Sequence, residues 1–148
     1  MTNDSTTGGH CLCRAVRFVY AGEPNWTVYC HCESCRRATS SPLTTWISVP
    51  REALKFVQGT PRYFDSSPGM RRGFCAACGS PLTYENGGLP GEVHIYAASL
   101  DEPNQVAPSR HVFVDEQLEW FEVHDELPRF ASTSGGGASP IRRGPRQR

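Results

Sequence analysis

Cys30-His31-Cys32-Glu33-Ser34-Cys35-Arg36-Arg37 places three thiols within six residues, with Cys11-Leu12-Cys13 before it and Cys75-Ala76-Ala77-Cys78 after it. Cysteines grouped at one- and two-residue spacings read as metal ligands, and an odd total of seven argues against a disulfide framework. In an extended strand residues i and i+2 project to one face. Cys11 with Cys13, and Cys30 with Cys32, are therefore each expected to offer two sulfurs to one ion, with His31 pointing away. Cys75 and Cys78, followed by Gly79, have the tight-turn form in which two thiolates converge on zinc while backbone N–H groups point at the sulfurs.

Zinc with thiolates takes four tetrahedral ligands at about 2.3 Å in a structural role and keeps one position open in a catalytic role. Seven sulfurs divide as four plus three. The remote pairs Cys11/Cys13 and Cys75/Cys78 are the expected closed set, because together they would pin the first strand to the middle of the chain. Cys30, Cys32 and Cys35 are the expected open set. The alternative for the trio is a closed site whose fourth ligand is a histidine such as His94 or His111.

Working outward from the cysteines, the 148 residues fit one domain. With 14 glycines and 12 prolines, the composition favours turns and short strands over long helices. Runs of β-branched and aromatic residues predict strands over 13–20, 25–31, 43–49, 54–58, 61–65, 70–75, 81–85, 92–98 and 109–114, separated by turn residues. Only a turn following Cys32 through Arg37 and another after Pro50 read as helical. The expected fold is therefore mainly β, built of short antiparallel strands. Residues 1–8 and 132–148 are small, polar and poor in apolar side chains, so both ends are expected to be disordered around a domain spanning 9–131.

The final 17 residues carry four arginines and no acid, leaving residues 1–131 with 11 basic and 15 acidic groups, a net of about −4. An acidic body disfavours nucleic acid as a partner. Met1 to Gly9 has neither an apolar run nor a basic lead, so no signal peptide or membrane span is expected, and a cytoplasmic location is. Lys55 is the sole lysine among 15 basic residues, which points to a GC-rich bacterial genome.

The residues resemble the glutathione-dependent formaldehyde-activating enzyme family, which also includes centromere protein V. Gly9-His10-Cys11-Leu12-Cys13 is similar to the family's opening G-x-C-x-C, and Cys30 through Arg37 to its C-H-C-x-x-C-R-x. Phe74-Cys75-Ala76-Ala77-Cys78-Gly79 with Leu82 is similar to its F-C-x-x-C-G-x-x-L, and Ala98-Ser99-Leu100-Asp101 with His111 and Trp120 to its second half. Arg14 and Ser40 stand where the family commonly has glycine. The resemblance implies a zinc-binding β-tent fold with two zinc ions per chain. Cys11, Cys13, Cys75 and Cys78 would hold the structural ion, and Cys30, Cys32 and Cys35 the catalytic one. It also implies carbon–sulfur lyase activity, the reversible addition of a thiol such as glutathione to an aldehyde such as formaldehyde.

Three thiolates on Zn²⁺ leave a net negative centre, ill suited to polarising a carbonyl and better suited to binding a substrate thiol and lowering its pKa from about 8.5. Arg36 and Arg37 are expected to offset that charge or to hold a carboxylate of a peptide-like thiol. His31 and His111 are candidate proton donors, and Glu33 and Ser34 are expected to cap the ligand loop. The rival reading is a non-catalytic zinc module that binds protein or nucleic acid through the Arg-rich tail from Arg142 to Arg148. Exposed sheet edges are compatible with a homodimer.

Overall fold

The computed structural model describes residues 5–141. The chain divides into two compact units, residues 1–27 with 45–107, and residues 28–44 with 108–148. The four arginines of the C-terminal tail lie outside the described residues.

The first unit holds two antiparallel sheets. In one, β1 (Thr6–His10), β2 (Arg17–Ala21) and β5 (Leu54–Gln58) lie side by side. In the other the order is β4 (Thr44–Pro50), β9 (Glu92–Tyr96), β8 (Pro81–Asn86), β7 (Met70–Phe74) and β6 (Arg62–Ser67). Alternation decides which side chains meet. Phe18 and Tyr20 from β2, Ile47 and Val49 from β4, Val93 and Ile95 from β9, and Leu82 from β8 form one buried cluster that also takes in Cys11 and Cys75. Each large apolar side chain buried there contributes roughly 1.5–3 kcal/mol, so the cluster supports the cysteine turns from beneath.

Strand β1 starts inside the segment expected to be disordered. Its two glycines explain both the missed expectation and the strand. Glycine is depleted in strands, but a Cβ on Gly9 would lie 2.3 Å from Phe18 Cζ and 2.8 Å from the Ser99 carbonyl oxygen. Only a backbone without a side chain can close on β2 and on the Ala97–Ser99 turn at that point. Gly9 bridges Leu100, and the Asp101 N–H donates to the Gly8 carbonyl at 2.9 Å.

The second unit contains α1 (Glu33–Thr39) and β10 (His111–Val112), the latter parallel to β3 (Trp26–Cys30), with His111 opposite Tyr29 and Val112 opposite Cys30. Beyond residue 131 the chain continues to bond: the Phe113 N–H donates to the Ser132 carbonyl at 2.9 Å, and the Ile141 N–H to that of Arg129 at 2.8 Å. The fold is thus mainly β, with α1 the one α-helix among the described residues. The two helical segments expected from sequence appear as α1 and a 3-10 turn at Arg51–Ala53. Strand expectations for 92–98 and 109–114 ran long, because 3-10 turns at Ala97–Ser99 and Val114–Glu116 take over where Ala-Ala-Ser and Val-Asp-Glu leave the ladder. No helix of the described residues is long and apolar enough to cross a membrane.

Candidate functional site

Cys11 and Cys13 lie in the turn joining β1 to β2, not in a strand as their spacing had suggested. The turn is closed by bonds from the Cys11 N–H to the Val16 carbonyl and from the Arg14 N–H to the Cys11 carbonyl, both 3.1 Å. The second pair sits in the turn between β7 and β8. There the Gly79 N–H reaches the Cys75 carbonyl at 2.7 Å, and Gly79 has φ +77°. The two turns bring all four sulfurs within 4.8 Å of one another. Tetrahedral Zn–S bonds of about 2.3 Å require neighbouring sulfurs about 3.8 Å apart. Cys11 to Cys13 is 3.7 Å and Cys13 to Cys75 is 3.8 Å. The Val16 N–H donates to Cys11 Sγ at 3.3 Å, while Cys78 Sγ lies 3.1 Å from the Ser80 hydroxyl, whose hydrogen bond holds that thiol down at about 5.

Cys30, Cys32 and Cys35 form the second cluster, with sulfurs again within 4.8 Å of one another. Cys30 ends β3, Cys32 is the N-cap of α1 with its sulfur accepting from the Cys35 N–H at 3.3 Å, and Cys35 is the buried residue of that helix. Strand end and helix start converge the sulfurs, so the i, i+2 logic fails here as it does at Cys11. Cys30 Sγ and Cys35 Sγ are 3.9 Å apart, near the tetrahedral spacing. Hydrogen bonds from Cys32 and Cys35, with burial, push the Cys30 thiol far up. Three thiolates this close cannot all ionise without a cation among them, so both donor sets fit zinc.

Among the described residues no histidine or carboxylate joins the trio. His94, one of the two expected alternatives, places Nε2 3.0 Å from Glu92 Oε2. The other, His111, is fully buried and has both ring nitrogens bonded: Nε2 lies 2.8 Å from Asp125 Oδ2, and Nδ1 2.8 Å from His31 Nε2. The Asp125 carboxylate accepts from His111 Nε2–H, and the other ring nitrogen, Nδ1, shares its hydrogen bond with His31 Nε2. His31 Nδ1 is buried and has no hydrogen-bond partner. Burial and the neighbouring cations push His31 down to about 4, so it stays neutral. Burial raises Asp125, but bonds from His111 and the Leu127 N–H outweigh it and leave that acid below its ordinary value.

The two arginines that follow the trio bond to different partners. Arg36 donates through Nε to the His31 carbonyl at 3.3 Å and through Nη2 to the Glu116 carbonyl at 3.1 Å, while Arg37 pairs with Glu33 at 2.9 Å on the exposed face of α1. Glu33 receives its cap from outside the helix, its N–H donating to Glu116 Oε1 at 3.2 Å. Asp125 and Ser80 were missed from sequence because a lone carboxylate and a lone hydroxyl carry no spacing signal.

Residues 6–116 match the glutathione-dependent formaldehyde-activating enzyme family. A curated relative from Schizosaccharomyces pombe, named an uncharacterized lyase, is 33% identical over 84 residues, which cover 55% of this chain and 61% of that protein. A crystal structure of a Rhodobacter sphaeroides protein superposes with TM-score 0.54 at 22% identity, covering 64% of this chain and 87% of that one, and supports the fold.

Proposed function

The chain belongs to the glutathione-dependent formaldehyde-activating enzyme family, and from that premise we propose that it is a zinc-dependent carbon–sulfur lyase that activates a glutathione-like thiol for reversible addition to an aldehyde such as formaldehyde. The observation that carries the proposal is the count of donors: the trio has three sulfurs and no fourth protein ligand among the described residues, whereas the other cluster has four. The closed set, Cys11, Cys13, Cys75 and Cys78, would hold a structural zinc, and Cys30, Cys32 and Cys35 a second one with a position left for substrate.

A zinc ion held by the trio would supply the positive charge that keeps a substrate sulfur ionised at neutral pH. In the addition a carbon–sulfur bond forms, the carbonyl π bond breaks, and the proton lost by the thiol ends on the new hydroxyl oxygen. The chain's own residues present three sulfurs in fixed geometry. Cys32 and Cys35 are locked by the N-terminal turn of α1. His31 is fully buried and uncharged, which fits a positioning role better than proton donation: bound through His111 to Asp125, it anchors the backbone between Cys30 and Cys32. Arg36, bonded to the His31 carbonyl, ties the same segment from its other side.

Exchange NMR with ¹³C-formaldehyde and glutathione tests the reading. The zinc-loaded protein should speed interconversion of free aldehyde and hemithioacetal above the spontaneous rate, and Cys32→Ser should return it to that rate. A zinc-loaded wild type that leaves the exchange unchanged would sink the proposal.

A further inference from the structure

The two residues that flank Cys30 in the chain both stack on one imidazole. The His111 ring lies 4.8 Å from the Tyr29 ring and 5.1 Å from the His31 ring between centroids, each pair inclined at 24°. The backbone follows the same course: the Tyr29 N–H donates to the Arg110 carbonyl at 2.9 Å and the His31 N–H to the Val112 carbonyl at 3.1 Å. His31 Nδ1 has no hydrogen-bond partner, and Nε2 lies 2.8 Å from His111 Nδ1. Among the described residues, His111 alone therefore sets by hydrogen bonding the direction of the ring that stands between two metal ligands.

His111 is oriented in turn from its far side. Its Nε2 lies 2.8 Å from Asp125 Oδ2, while Asp125 Oδ1 accepts from the Leu127 N–H at 3.0 Å and from Arg129 Nη1 at 3.2 Å. Arg129 also donates to the Leu127 and Val123 carbonyls at 3.0 and 2.8 Å, so swinging the carboxylate away breaks bonds on which that loop depends. A chain of contacts thus runs from Arg129 through Asp125 and His111 to the peptide units on both sides of Cys30. Both imidazoles are fully buried, where hydrogen bonds are stronger and water does not replace a lost one. The family match ends at residue 116, so Asp125 and Arg129 come from the segment beyond it.

We propose that Asp125 is a positioning residue for the trio, holding Cys30 and Cys32 in metal-binding geometry through His111 and His31. Groups that orient metal ligands without touching the metal change its affinity about 10–100-fold. The inference rests on one part of the function proposed above, that the trio holds zinc, and not on thiol addition. Cys11, Cys13, Cys75 and Cys78 take no part in these contacts, so their metal should not respond.

The test is zinc release from the zinc-loaded full chain to excess chelator, followed by the absorbance of the chelator complex. Wild type should release its ions in a fast and a slow step, and Cys32→Ser, which lacks the trio's step, identifies it. Asp125→Asn keeps the size of the side chain and removes its charge and one acceptor oxygen. It should speed the trio's step about tenfold and leave the other unchanged. With cobalt in place of zinc, the thiolate-to-metal absorption of the trio should shift in the same variant, a change of ligand geometry that lower overall stability does not produce. Glu119→Gln, which removes an exposed charge from the same acidic stretch, should alter neither step. An Asp125→Asn protein whose trio keeps the wild-type rate or spectrum, or whose two steps quicken alike, would overturn the inference and leave the proposed function standing. So would a Glu119→Gln protein that matches it. A wild type that releases a single ion would overturn both.

Discussion

His31 Nε2 lies 2.8 Å from His111 Nδ1, with both imidazoles fully buried and stacked at 5.1 Å between centroids. The bond needs one ring nitrogen as donor and the other as acceptor, and Asp125, accepting from His111 Nε2–H, holds the His111 ring from its far side. Replacing His111 with phenylalanine keeps the ring but leaves His31 Nε2 without this partner and takes one bond from Asp125, whose Oδ1 still accepts from the Leu127 N–H and Arg129 Nη1. The expected loss is about 1–3 kcal/mol of stability, read by urea denaturation of the zinc-loaded protein. Unchanged stability would show that the bond contributes nothing.

Arg14 and Ser40, the two positions where the resembling family commonly carries glycine, have φ +65° and +55°. An L-residue in that region costs roughly 1–2 kcal/mol, partly offset because glycine loses more entropy on folding. Arg14→Gly and Ser40→Gly should therefore each raise stability by about 0.5–1 kcal/mol. Gly79→Ala should lose about 1–2 kcal/mol although nothing lies within 4 Å of the new methyl, since φ there is +77°. Thermal melts of the three variants check the signs.

Those turns show how much was legible in the sequence. Cysteine spacing alone divided seven sulfurs into the two clusters the structure forms, because groups that must share an ion are written close together or in matched pairs. What spacing did not carry was the backbone that achieves it: turns at Cys11 and a strand–helix junction at Cys30, where paired strand positions had been expected. β1 was missed because its glycines are dictated by the approach of Phe18 and Ser99, a long-range constraint absent from local propensity. Asp125 was missed for a similar reason. Its partner His111 is recognisable in the sequence, but the bond depends on how residues 125–130 return beside β10.

Gly9→Ala tests the β1 contact directly. Its Cβ would meet Phe18 Cζ at 2.3 Å and the Ser99 carbonyl at 2.8 Å, so overpacking should cost about 1–3 kcal/mol and weaken zinc retention at the adjacent Cys11–Cys13 turn. A variant as stable as wild type would show that β1 moves aside freely.

Glu85 sets an acid limb. Burial raises its pKa, but hydrogen bonds from Arg71 and then Arg51 outweigh that and leave it below the ordinary 4.5. A depressed folded-state pKa means that the contribution is full above the unfolded value and is lost as pH falls through the folded one. Glu85→Gln should cost about 1–3 kcal/mol at pH 7. Its gap from wild type should close as pH drops below 4.5. A gap independent of pH would rule out the charge as its cause.

The most direct test of the account is zinc per chain, measured by elemental analysis on protein purified without chelator, for wild type and Cys32→Ser, with cobalt substitution to follow added glutathione. Close to two ions are expected in the wild type, falling to one in the variant, with a thiol-dependent cobalt spectrum that the variant lacks. A single ion, unaffected by Cys32→Ser and indifferent to glutathione, would contradict an open metal site at Cys30, Cys32 and Cys35.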